Sequence, residues 1–162
     1  MTKGDTRSML ELEVQYAVDS SGVPGKEDFV SWARAALSDI DQGVEMVVRI
    51  VDEPESRDLN SRYRGKDKPT NVLSFPFEAP PEIDSSHLGD LVICAPVVRR
   101  EAREQCKQEL DHWAHMVVHG ILHLRGFDHE TDEEAQAMEA LEKQILSRLG
   151  IQDPYRITDV AV

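Results

Sequence analysis

From Glu109 to Leu124 the chain carries Trp113, Ala114, Met116, Val117, Val118, Ile121 and Leu122, apolar around most of a helical circumference. A helix of that kind has to run through the interior of a fold. It also bears His119 and His123, four residues apart and therefore on one face. The run continues as HGILHLRGFDH to His129. Gly126 can take the positive φ that ends a helix, and Phe127-Asp128 then bring His129 back toward the other two imidazoles. Three neutral imidazoles suit Zn²⁺ and leave a fourth position open, an arrangement more common in catalytic than in structural sites. One Zn²⁺ per chain is expected. His115, His119 and His123 form a competing i, i+4, i+8 ladder, but its ends lie about 12 Å apart along the axis, too far for one ion. His115 and His112 are therefore read as packing residues or as groups behind the ligands.

At 162 residues the chain suits one domain with a real core, with residues 1–8 and 152–162 expected to be loose. No run reaches the ~18–20 apolar residues needed to cross a bilayer, and the N-terminus lacks an apolar signal region, so a cytoplasmic protein with no membrane partner is expected. Cys94 and Cys106 have no CxxC spacing and suggest neither a disulfide framework nor a thiolate zinc site. The net charge of −13 argues against a generic nucleic-acid binder. One stretch departs from it: RDLNSRYRGKDK, Arg57 to Lys68, has five cations and two anions, whereas Phe127 to Val162 has nine anions and three cations. A basic strip on an acidic body can still bind a polyanion.

Leu10, Leu12, Val14 and Tyr16 alternate with polar residues as in a half-buried strand. Glu27 to about Ser38 reads as a helix with Phe29, Trp32, Ala33, Ala36 and Leu37 inward. Val44–Val51, Thr70–Phe75 and Leu88–Cys94 read as strands, and Pro54–Tyr63 as a short helix before the basic loop. Pro96 to Gln108 is an amphipathic helix with Pro96 in its first turn. Thr131 and Glu134 make a capping box for a last helix, whose stripe Ala135, Met138, Leu141, Ile145 and Leu149 ends at Gly150. This order predicts an α+β fold: a small mixed sheet of about four strands, packed with five or six helices, one of them central and metal-bearing.

Zinc on three histidines makes hydrolysis the default chemistry. In the zinc-peptidase pattern HExxHxxGxxH the residue after the first histidine is the general base, and here it is Gly120, which weakens a peptidase reading. Phosphodiester cleavage tolerates that change better, because it chiefly demands cations on the phosphoryl oxygens. Arg64 is well placed for this, and by charge alone Arg62, Lys66 and Lys68 are equally eligible.

The segments NSRYRGKDKPTNVLSFPF (Asn60 to Phe77), LGDLVIC (Leu88 to Cys94) and HGILHLRGFDH (His119 to His129) resemble the YbeY family of bacterial rRNA-maturation endoribonucleases over nearly the whole chain. The resemblance implies a zincin-like α+β fold and a single-strand-specific endoribonuclease acting in 16S rRNA 3′-end processing and ribosome quality control. It places the metal ligands on His119, His123 and His129 and the functional arginine on Arg64. The expected partners are single-stranded rRNA and the small ribosomal subunit with its proteins, not DNA. Either water or the RNA 2′-hydroxyl would be the nucleophile. Asp128 is read either as a carboxylate orienting a ligand imidazole or as a turn group, and Lys66, Asn71 and Ser74 either as lining an RNA groove or as loop and strand structure. An assembly factor with a structural zinc is the competing reading, its cage closed by His115 or Asp128.

Overall fold

In the computed structural model, residues 9–78 and 86–155 are described. The elements run β1 (Leu10–Tyr16), α1 (Lys26–Ala36), β2 (Val44–Val51), α2 (Glu53–Arg64), β3 (Val72–Pro76), β4 (His87–Cys94), α3 (Ala95–Glu104), α4 (Glu109–Leu124) and α5 (Asp132–Arg148). The four strands form one mixed sheet in the order β1-β2-β4-β3. β1 and β4 run parallel to β2, and β3 runs antiparallel to β4 at an edge. The α+β architecture with four strands is as expected, and the described residues hold five helices.

Alternation along the strands divides the core between the two faces of the sheet. Leu12, Met46, Val48, Ile50, Leu91 and Ile93 meet α1, α4 and α5 in the main core, around Phe29, Trp113 and Leu122. Val51, Leu73, Val92, Cys94 and Val97 form a smaller cluster on the other face, covered in part by Leu59 of α2. α4 is buried through most of its length, as its apolar circumference predicts. No described helix is long and apolar enough to cross a membrane.

Two departures from the sequence reading have a clear structural cause. α3 stops at Glu104 rather than near Gln108, because Cys106 takes a positive φ of 56° and the Lys107 N–H returns to the Ala102 carbonyl, turning the chain into α4. The tail expected to be loose from Gln152 is docked as far as Tyr155, whose hydroxyl donates to Glu142. Residues 1–8 and the rest of that tail, 156–162, lie outside the described residues.

α4 approaches the sheet closely because two glycines allow it. A Cβ on Gly120 would lie 2.7 Å from Leu91 Cδ2 and 3.3 Å from Val72 Cγ2. Gly89 of β4, at φ +149°, leaves no room for a side chain between the Phe75 carbonyl and Leu124. The Ser74 hydroxyl then donates to the Gly120 carbonyl at 3.1 Å and ties the edge strand to the central helix.

Candidate metal centre and its cavity

His119 and His123 project from the last turns of α4. The helix ends in a Schellman turn: Gly126, at φ +100°, donates to the His123 carbonyl at 3.0 Å, and Phe127 donates to the Leu122 carbonyl at 3.0 Å. Arg125 fixes the turn from outside, donating to the Ala36 carbonyl at 2.9 Å and to Asp39 at 2.8 Å. The chain beyond it returns His129 to the other two imidazoles, with ring centroids 5.0 Å from His123 and 5.9 Å from His119. One ligand atom from each of the three lies within 4.8 Å of the others. His119 Nε2 and His123 Nε2 face each other at 3.2 Å. Two nitrogens bound to one tetrahedral ion at ~2.0–2.1 Å stand about 3.3 Å apart, so this donor set fits zinc.

Glu142 governs which nitrogen of His119 is free. It sits on α5, fully buried, and accepts from His119 Nδ1 at 2.7 Å, His115 Nε2 at 2.8 Å and the Tyr155 hydroxyl at 2.5 Å. Burial alone would raise the pKa of this carboxyl, but the hydrogen bonds from His115, His119 and Tyr155 outweigh it and hold it near about 2. An ionised acceptor on Nδ1 keeps the proton there and leaves the Nε2 lone pair for a metal. Burial, with smaller contributions from His119 and His129, lowers the pKa of His123 and favours the neutral, ligating form.

His115, His119 and Glu142 also lie close enough to suggest a second cation position. Their N···O separations of 2.7 and 2.8 Å are those of charge-assisted hydrogen bonds, shorter than the spacing of two ligands around one ion. His115 therefore buttresses Glu142, and His112 is engaged with Glu101 at 2.8 Å. Asp128 Oδ1 accepts the His129 backbone N–H at 2.7 Å, the turn geometry weighed for it in the sequence.

The three histidines open onto a cavity of about 740 Å³, whose other wall is the end of α2 and the edge strand β3. Arg64, Asn71 and Ser74 line it, as do Tyr63, Asp128 and Glu130, whereas Lys66 does not. The basic strip is less uniform than its composition suggested. Arg57 is paired with Asp67 at 2.7 and 3.0 Å and Arg62 with Asp58 at 2.8 Å, while Arg64 has no carboxylate partner among the described residues. Its position is fixed from below: Gly65 ends α2 at φ +70°, Ser56 exchanges hydrogen bonds with Thr70, and Asn60 donates to the Lys68 carbonyl. The side chains of Asn71 and Ser74, both in the cavity lining, also brace the fold, Asn71 on Glu101 and Ser74 on Gly120.

The family model described as Endoribonuclease YbeY matches residues 15–150. The chain belongs to the YbeY family. A curated Endoribonuclease YbeY from Alkalilimnicola ehrlichii is 59% identical over 155 residues, covering 93% of each chain. The solution structure of TM1509 from Thermotoga maritima resembles this chain with a TM-score of 0.55 at 26% identity, covering 90% of this chain and 99% of that one. A YbeY-family fold is thus carried here by a sheet whose edge strand faces the histidine cluster.

Glu142 was missed in the sequence reading, although a signal was present. Met138, Glu142, Ile145 and Leu146 share the buried face of α5, and an acid on such a face requires partners. Tyr155 was set aside with the tail and had no sequence signal of its own.

Proposed function

We propose that this chain is a zinc-dependent endoribonuclease acting in the cytoplasm on single-stranded rRNA, in 16S 3′-end maturation and ribosome quality control. The observation that carries this reading is the meeting, in one cavity, of three convergent imidazoles and an arginine with no carboxylate partner among the described residues. His119, His123 and His129 would hold the ion. Zn²⁺ bound there supplies Lewis acidity and a nucleophile usable near neutral pH. Arg64, permanently charged and able to present two N–H groups, binds the scissile phosphate and offsets the charge that grows on its oxygens. Glu142 holds the Nδ1 proton of His119 throughout. Lys66, on the loop after α2, adds positive charge for the strand, and Asn71 to Ser74 form the wall along which the strand lies.

Gly120 argues against a peptidase. Its Cβ direction runs into Leu91 and Val72, so the position that carries the base in HExxH motifs here belongs to helix-on-sheet packing. A structural zinc would need a fourth protein ligand. His115 is committed to Glu142, and among the described residues Asp128 is not grouped with the three convergent imidazoles, which supports a fourth position left to water or substrate.

The acidic body implies modest, salt-sensitive affinity for free RNA, with the small ribosomal subunit and its proteins supplying the positioning. The test is cleavage of a single-stranded RNA carrying the 16S 3′ precursor by zinc-loaded wild type, Arg64→Ala and His119→Ala, with metal content measured in parallel. Loss in both variants, with zinc retained in Arg64→Ala, is the expected result. Undiminished cleavage by both variants would refute the assignment.

A further inference from the structure

Tyr63 is a large aromatic side chain that the fold leaves uncommitted. It continues the buried stripe of α2, three residues after Asn60 and seven after Ser56, but overhangs the sheet edge and stays 63% exposed. Of the three tyrosines, Tyr16 donates to the Pro24 carbonyl and Tyr155 to Glu142, while the Tyr63 hydroxyl has no partner among the described residues. Its ring is nonetheless held: Phe75 of β3 meets it edge to face, with centroids 5.2 Å apart and planes at 74°. Both rings line the cavity that contains His119, His123, His129 and Arg64, and Tyr63 immediately precedes Arg64 in the chain.

We propose that Tyr63, braced by Phe75, is a stacking platform for one nucleobase of the RNA strand, adjacent to the phosphate engaged by Arg64. This rests on the ribonuclease reading given above. An exposed ring braced by a second aromatic, beside a guanidinium with no carboxylate partner among the described residues, matches how single strands are held, with a cation on the backbone and an aromatic face under a base. The platform selects against duplex, whose bases are already stacked on one another, and it tolerates any base because each presents a π-face. It supplies a physical source for single-strand preference within a chain that is acidic overall.

The test uses the zinc-loaded full chain and a uniformly 2′-O-methylated single strand, checked intact on a gel, with binding followed by fluorescence anisotropy. Tyr63→Ala is expected to weaken binding about 5- to 150-fold, the range for losing one stacked base. Tyr63→Phe and Tyr63→Trp should stay within about threefold of wild type, because the ring and not the hydroxyl is used. A scan with single abasic nucleotides should find one position that costs wild type a comparable factor and costs Tyr63→Ala nothing further. Wild-type binding by Tyr63→Ala, a loss in Tyr63→Phe equal to that in Tyr63→Ala, or abasic and Tyr63→Ala losses that multiply at every position would each overturn the platform. Ring-dependent binding of an unmodified strand without cleavage would refute the nuclease reading and leave the platform standing. Cleavage with an unchanged KM in Tyr63→Ala would do the reverse.

Discussion

Replacing Glu142 with glutamine changes one oxygen to an NH₂ group and forces a choice between metal affinity and stability. Oε2 accepts from His119, and Oε1 accepts from both His115 and Tyr155. If the new NH₂ takes the place of Oε2, it faces His119 Nδ1, and that ring must move its proton to Nε2, the nitrogen needed for the metal. If it takes the place of Oε1, it faces His115 Nε2, and His115 must move its proton to Nδ1, which is buried with no partner. The first arrangement removes a ligand. The second strands a donor, at about 1–3 kcal/mol, and weakens the remaining hydrogen bonds, because an amide oxygen replaces a carboxylate. The expected outcome is a metal-free protein less stable by about 2–4 kcal/mol, roughly 4–16 °C in Tm for a chain of this length, with zinc affinity lower by about 10–100-fold. Urea unfolding of the metal-free protein and zinc competition against a chelator measure the two separately. Tyr155→Phe removes a single hydrogen bond to the same oxygen and should move both quantities in the same direction by less. Glu142→Gln within about 0.5 kcal/mol and twofold of wild type would show that the carboxylate neither holds the helices nor sets the tautomer.

Gly120→Ala gains about 1 kcal/mol in helix propensity but drives a methyl group into Leu91 and Val72, at a cost of about 1–3 kcal/mol, so a net loss near 1 kcal/mol is expected in urea unfolding; a stabilised variant would mean that packing does not explain the glycine. Arg64→Ala should lower the salt dependence of single-strand binding by about 0.7 in slope, while Arg57→Ala, whose guanidinium Asp67 already neutralises, should change it by less than half as much; equal slopes would contradict the assignment. Burial raises the Glu101 pKa, but hydrogen bonds from His112 and Asn71 outweigh it and leave the group below its ordinary 4.5. A carboxyl depressed in the folded state lends full stability above the unfolded value and loses it as pH falls below 4.5 toward the folded one, because the unfolded chain takes up the proton first. The fall in urea midpoint from pH 7 to pH 4 should therefore be smaller in Glu101→Gln than in wild type, and an identical fall would remove Glu101 from the acid limb.

What could be read from the sequence was what local pattern determines. The bounds of α4, the Thr131–Glu134 capping box and the turn at Gly126 depend on residues within a few positions of one another, and the structure places them as expected. The convergence of His119, His123 and His129 follows from those same local features. The end of α3 was misjudged because Cys106, not a glycine, takes the left-handed turn. Strand order, the pairing of Arg57 and Arg62, and the Glu142 network depend on contacts between distant segments, and composition holds no record of them. Five cations in twelve residues look equivalent by charge; the fold separates them by giving two of them carboxylates and turning Arg64 into the cavity.

The closeness of α4 to the sheet links packing to chemistry. With Gly120 and Gly89 at the contact, the central helix packs directly on the Leu91 and Val72 side chains of β4 and β3, and the Ser74 hydroxyl bonds to a carbonyl within the helix. The wall of the cavity is therefore the edge strand itself, and the end of α2, tied to the Lys68–Thr70 loop by Asn60 and Ser56, is carried with it. A bulkier residue at position 120 would displace β3, and with β3 the Phe75 ring and the anchorage of Tyr63 and Arg64, while His119 and His123 stayed on their helix. The separation between the histidines on the central helix and the arginine on α2 thus depends on how closely that helix packs on the sheet, which the two glycines permit. The absence of a carboxylate at position 120, which disfavours peptide hydrolysis, is from this side a packing requirement for placing Arg64 across the cavity from the three histidines.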